Sequence, residues 1–202
     1  MKLKKAAMFG LDARIALAIF GALSVISGAA LYSAIQEANM TSLYIDLREV
    51  EKALEAYSLD TGDLSFTAGT EELNMLYENA RGTVTNISGW KGPYISAKPN
   101  GIATTLNHNR LGYLFLRQRI APNDTHECNT NLSSSSSDYY IQFTKYNATG
   151  NNLTCDGDFE WLKKVHDKFD TDGNYNGGKI IVKEHNSNSG DGALFYRVDY
   201  IS

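Results

Sequence analysis

The chain has 202 residues, 43% of them apolar, enough for one compact domain with an appendage and a buried core. Its net charge of −4 is uneven, because residues 1–35 carry Lys2, Lys4, Lys5 and Arg14 against Asp12 alone; the remainder, with 15 basic and 22 acidic side chains, stands at −7. A mildly acidic exterior argues against nucleic-acid binding, and no specific nucleic-acid partner is expected.

From Ile15 to Ile35 the chain runs 21 residues without a charged side chain. At about 1.5 Å per residue a helix of this length crosses a hydrocarbon core of roughly 30 Å. The lysines ahead of it place the N-terminus in the cytoplasm and the rest outside it, by the excess of positive charge on the cytoplasmic side. The alternative is a cleaved secretory signal, with a basic start, an apolar stretch and Ser27-Gly28-Ala29 as the cleavage site. Small residues recur along the run, including Ala18, Gly21, Ser24, Ser27, Gly28 and Ala30, and small side chains let helices approach closely in lipid.

No proline appears before Pro93, and beyond Ile35 the pattern turns amphipathic rather than breaking. Leu43, Leu47, Val50, Leu54 and Tyr57 recur at spacings of 4, 3, 4 and 3, which sets them on one stripe of a helix with Asp46, Arg48, Glu49, Glu51, Lys52 and Glu55 elsewhere. Asp60-Thr61-Gly62 should end it with a glycine cap. The expectation is one helix over residues 12–59, about 70 Å long.

Next, Thr70 can cap a short helix with Leu73, Leu76, Tyr77 and Ala80 on its apolar face and Gly82 at its end. Four segments alternate as strands: Leu111–Arg119 with Leu111, Tyr113 and Phe115 on one face, Tyr139–Tyr146 with Tyr139, Ile141 and Phe143, Gly178–Lys183, and Ala193–Tyr200 with Leu194, Tyr196, Val198 and Tyr200. Asp158–Phe169 reads as a second helix with Phe159, Leu162, Val165 and Phe169 inward. An antiparallel sheet with one buried face needs a cover, and the stripe ending at Tyr57 supplies it. The fold class is therefore α+β, a long N-terminal helix packed against a C-terminal antiparallel sheet.

Cys128 and Cys155 lie in the exported part, where an oxidising compartment lets a disulfide persist, and they bracket the polar, turn-rich stretches Ser133–Ser137 and Gly150–Gly157. A bridge would close a loop of about 28 residues and contribute on the order of 3 kcal/mol. Six Asn-x-Ser/Thr triplets, at Asn39, Asn86, Asn123, Asn131, Asn147 and Asn152, follow from a composition rich in these residues. From Asp170 to Gly177 oxygen-bearing side chains alternate, as in a calcium loop, but an EF-hand wants glycine at its sixth place and a carboxylate at its twelfth, where Tyr175 and Ile181 stand. Calcium held by Asp170, Asp172 and Asn174 is set against a tight turn leading into the next strand. The four histidines, His108, His126, His166 and His185, show no paired spacing, and His166 is expected at the surface or half-buried. No catalytic constellation, and no cofactor besides that calcium, is expected.

The start Lys4-Lys5-Ala6-Ala7-Met8-Phe9-Gly10-Leu11, the unbroken helix, YSLDTGDL from Tyr57 and GWKGPYI from Gly89 to Ile95 resemble the type IV pilin superfamily, including the major pseudopilins of type II secretion. The resemblance implies a basic leader over 1–10, a transmembrane and assembly segment over 11–35, an amphipathic half-helix over 36–60 and an exported head over 61–202 with a cysteine-bounded region 128–155. It implies processing at Met8, Phe9 and Gly10 by a prepilin peptidase, although the family has glycine where Met8 stands. It also implies that Asp12, near the place of the family's glutamate, and Arg14 are the charges that align neighbouring helices. The expected partners are copies of the chain and other pilin-like subunits in a filament, the bacterial inner membrane and an assembly platform. The alternative is a membrane-anchored or secreted periplasmic binding protein that does not polymerise.

Overall fold

The structure is a computed structural model that describes residues 4–62, 73–81, 84–96, 106–108, 112–119, 138–144, 157–175, 178–184 and 190–199. It has the α+β class expected, a long N-terminal helix and a C-terminal antiparallel sheet, a layout like that of pilins. The first helix, α1, runs Lys4–Thr61. It starts eight residues ahead of the expected Asp12, because Ala6-Ala7-Met8-Phe9 offers neither a proline nor a competing cap to stop it. The end is where the sequence places it: Gly62 takes a left-handed φ of 67° and donates its N–H to the Ser58 carbonyl at 2.8 Å. That is the single-bond glycine cap, and the Thr61 hydroxyl satisfies the Tyr57 carbonyl at 2.8 Å beside it.

The chain divides into two units, Met1–Ser42 and Leu43–Ser202. In the first, residues 10–35 are all exposed, with Leu17 and Phe20 each at 70% and Val25 at 74%. Gly10–Thr61 is the one helix among the described residues long and apolar enough to cross a membrane. The Ser24 hydroxyl, which would be a cost in lipid, returns to the Phe20 carbonyl at 2.8 Å.

In the second unit, Leu43, Leu47, Val50, Leu54 and Tyr57 are at most 1% exposed, as the helical spacing requires. A single turn of 3-10 helix, Leu73–Leu76, stands where a longer helix was expected, and Ala80 belongs instead to β1 (Ala80–Arg81), which pairs with β2 (Val84–Thr85). The sheet is built from β3 (Leu106–His108), β4 (Gly112–Arg119), β5 (Asp138–Thr144), β6 (Gly157–Asp158), β7 (Ile180–Glu184) and β8 (Asp191–Val198), all antiparallel. Strands β3, β4, β5 and β8 follow one another; β7 pairs with β8, and β6 pairs with its start at Asp191–Gly192. Between β6 and β7, α2 spans Phe159–Phe169.

The registers put Leu114, Leu116, Ile141, Phe143, Ile180, Val182, Leu194, Tyr196 and Val198 on one buried face. Both helices meet that face. Tyr44 of α1 lies edge-on to Tyr196 at 6.3 Å and stacks on Phe169 of α2 at 4.2 Å, while Trp161 of α2 meets Phe143. On β4 the buried residues are Leu114 and Leu116. The other face is buried too, through Tyr140, Ile181, Ala193 and Phe195, where a sheet with one buried face was expected. The runs Ile180-Ile181-Val182 and Ala193-Leu194-Phe195-Tyr196 are continuously apolar, as strands covered on both sides are.

Removing the stripe should expose the sheet. Five fully buried side chains at roughly 1.5–3 kcal/mol each approach the whole stability of a domain. A fragment beginning at Gln36 should melt cooperatively, and one beginning at Asp60 should aggregate. A soluble, cooperatively melting Asp60 fragment would show that the stripe is not the cover.

Candidate functional site

The segment Val84–Ser96 holds the end of α1. Lys91 Nζ donates to Asp60 Oδ1 at 2.9 Å and the Tyr94 hydroxyl to Oδ2 at 3.0 Å, while the Tyr94 ring meets Tyr57 edge-on at 5.9 Å. The Trp90 indole N–H reaches the Met75 carbonyl at 2.8 Å, and Tyr94 N–H the Leu76 carbonyl at 2.7 Å, so the loop also ties down the 3-10 turn. Gly89 is required by contact and by conformation: its φ is 82°, and a Cβ there would sit 2.4 Å from the Asp60 carbonyl oxygen. GWKGPYI is therefore a clasp on the helix terminus.

Hydrogen bonds from Lys91 and then Tyr94 hold the Asp60 carboxyl below its ordinary 3.8, and the same bond raises Lys91. A carboxyl lowered in the folded state stabilises above its unfolded pKa and loses that contribution as pH falls through the folded value. Asp60→Asn should lower the melting temperature at neutral pH, and the gap from the parent protein should close as pH falls below 3.8. A gap that is constant from pH 7 to pH 3 in thermal melts would exclude the ion pair as its cause.

A second polar cluster ties α1 to the sheet. Glu51 accepts from Lys179 Nζ at 2.6 Å through Oε1 and from the Tyr196 hydroxyl at 2.8 Å through Oε2. Lys179 continues to Asp199 at 2.6 Å and lies 4.6 Å from the Tyr196 ring centroid. Burial, then the bond to Glu51, raises the Tyr196 phenol well above its ordinary value. At Asp199 burial alone would raise the carboxyl, but Lys179 and Arg197 outweigh it and the net shift is downward. Glu51→Ala removes two charge-assisted bonds from a side chain only 13% exposed, at about 1–3 kcal/mol. Chemical denaturation should register that loss, and Lys179→Ala added to it should cost much less than it does alone; additive losses would show the two side chains to be uncoupled.

The third cluster closes the end of α2. Asp158 caps its start by accepting from Trp161 N–H at 3.1 Å, and Leu162, Val165 and His166 are its buried face, with Phe159 and Phe169 half-buried. His166 is 0% exposed, which corrects the surface or half-buried position expected for it. Beyond the helix, Asp170 Oδ2 accepts from both Lys179 N–H and Ile180 N–H at 2.7 Å, and Asp172 Oδ1 accepts from Asn174 N–H at 2.7 Å. Asp170 thus serves the turn into β7, and one carboxylate atom from each aspartate and one His166 nitrogen lie within 4.8 Å of one another. Asn174 joins this loop through its backbone. The signal for the burial of His166 was in the helical spacing, which sets it four residues after Leu162 and three before Phe169 on the inward face.

Of the other expected site residues, Met8, Phe9, Gly10, Asp12 and Arg14 all lie within α1, with Gly10, Asp12 and Arg14 exposed. Cys128 and Cys155, and the disulfide expected between them, lie outside the described residues. Comparison with protein-family models, curated proteins and solved structures finds no match to this chain.

Proposed function

We propose that the chain is a structural subunit of a type IV pilin-like filament, held in a bacterial inner membrane with its N-terminus cytoplasmic, and polymerised through its N-terminal helix. The observation that carries this reading is that one helix has two apolar halves with different fates. Residues 10–35 are exposed throughout, whereas the stripe from Leu43 to Tyr57 is buried under the sheet. An exposed apolar surface of that extent calls for lipid or protein around it.

An anchor needs only apolarity, but this helix also has room for close neighbours. Gly10, Gly21 and Gly28 present no side chain on this exposed stretch. Small residues favour helix-to-helix packing in lipid, and the same packing would serve a filament core. In this reading the partners are further copies of the chain, other pilin-like subunits, an assembly platform and a prepilin peptidase acting near Met8 and Phe9.

Asp12 and Arg14 are charges at the edge of the apolar run, where a charge is costly unless paired or able to reach the interface. Asp12 would pair with the amine freed by cleavage before Phe9, or with Arg14 of a neighbouring subunit. Asp12→Ala should therefore leave the protein in the membrane with a normally folded head and abolish filaments. Electron microscopy of sheared surface material, with mass spectrometry of any filaments, tests this in a strain lacking the native copy. Parental filament yield from Asp12→Ala would remove the pairing role, and absence of the unaltered chain from filaments under all conditions would mark an anchored protein that does not polymerise.

A further inference from the structure

We propose that His166, Asp170 and Asp172 bind a divalent transition metal ion of the zinc class, which fastens the end of α2 to the turn leading into β7. His166 and Asp170 stand four residues apart at the end of α2, the Asp170 N–H bonded to the His166 carbonyl, and Asp172 follows in the turn after the helix. The His166 side chain is fully buried, yet its Nε2 has no hydrogen-bond partner among the described residues. That atom faces Asp172 Oδ1 at 3.5 Å. With metal–ligand bonds of about 2.1 Å, the edge of a tetrahedral site is roughly 3.4 Å, so the pair already has the spacing of two ligands on one ion.

The other ring nitrogen supports the assignment. Nδ1 lies 3.4 Å from Asp167 Oδ1, which also accepts from the Tyr175 hydroxyl at 2.8 Å, and the Tyr175 ring packs against the imidazole at 4.6 Å. A proton on Nδ1 directed at a carboxylate leaves the Nε2 lone pair free to ligate and fixes the ring plane, the usual support behind a metal-bound histidine. The carboxylates are held with comparable care. Two backbone N–H groups orient Asp170, and Gly178, at a φ of 79°, lets the chain pass where a Cβ would lie 2.5 Å from Asp172 Oδ2 and 2.7 Å from Asp170 Oδ2. The neighbouring cation does not neutralise them, because Lys179 Nζ goes to Glu51 and Asp199.

An imidazole among the ligands selects against calcium, which takes oxygen alone, and toward zinc and its neighbours. The Asp172 side chain is 39% exposed, so a water can complete the coordination from the solvent side. The ion would then join the last turn of α2 to the first residues of β7, a structural role.

The test is Zn²⁺ titration of the full chain in detergent micelles, by calorimetry and by thermal melting, with Ca²⁺ in parallel. The expected result is one Zn²⁺ per chain, a melting temperature raised by about 5–10 °C at 100-fold excess over Kd, and no comparable effect of Ca²⁺. Asp172→Asn, in the exposed turn, keeps the fold and should weaken binding at least tenfold; His166→Gln should do the same, with near-ultraviolet circular dichroism checking that its core is intact. Zn²⁺ binding that survives in folded Asp172→Asn resides elsewhere and overturns the proposal. So does the absence of saturable binding, and so does equal affinity for Ca²⁺.

Discussion

The head depends on one buried strip of apolar surface, the stripe of α1 from Leu43 to Tyr57 pressed on the sheet. The sheet's own hydrogen bonds set its strands in register, but they do not remove Leu114, Ile141, Phe143, Leu194 or Tyr196 from water. Burial of that face is what makes the strands worth ordering, at about 25 cal/mol for each Å² of apolar surface covered. The clasp at Asp60 and the seam at Glu51 are secondary to it, since each acts on a helix that the stripe has already positioned. Because the stripe belongs to the same helix as the exposed apolar segment, folding of the head and presentation of that segment rest on one continuous run of backbone hydrogen bonds.

What was legible in the sequence was periodicity. The spacing of 4 and 3 along α1 has no strand interpretation, so the stripe, the long helix and its end at Gly62 could all be read directly. The strands were less sharply marked where both alternations are apolar. In β4 both alternations, Tyr113 with Phe115 and Leu114 with Leu116, are apolar, and the sequence does not say that Leu114 and Leu116 are buried. In β7 and β8 the apolar runs are continuous, and a period of two cannot tell a strand covered once from a strand covered twice. Four residues of 3-10 helix at Leu73–Leu76 are too short to carry any period of their own.

The candidate sites show a different limit. GWKGPYI was recognisable as a string, yet its physical content is long-range: Gly89, Lys91 and Tyr94 all converge on Asp60 at the far end of a helix they follow by about thirty residues. At Asp170 the loop does more than alternation of side chains suggests. One carboxylate oxygen organises the turn into β7, which is the tight-turn reading, while the carboxylates of the same loop converge with a buried imidazole, which alternation of oxygen-bearing side chains alone could not reveal. Helical spacing puts His166 on the inward stripe of α2 with Leu162 and Val165, but it does not show which side chains of the following loop the ring meets.

The seam at Glu51 also acts as a ruler mark. An apolar stripe that repeats every three or four residues would bury nearly as well if the sheet slid along α1 by one turn, about 5.4 Å. Dispersion and area are nearly blind to that slip. A carboxylate is less so, because Glu51 displaced by one turn would leave the Lys179 ammonium and the Tyr196 hydroxyl to which it is bonded. The polar contact thus bears on where along the helix the sheet is held as well as on how strongly.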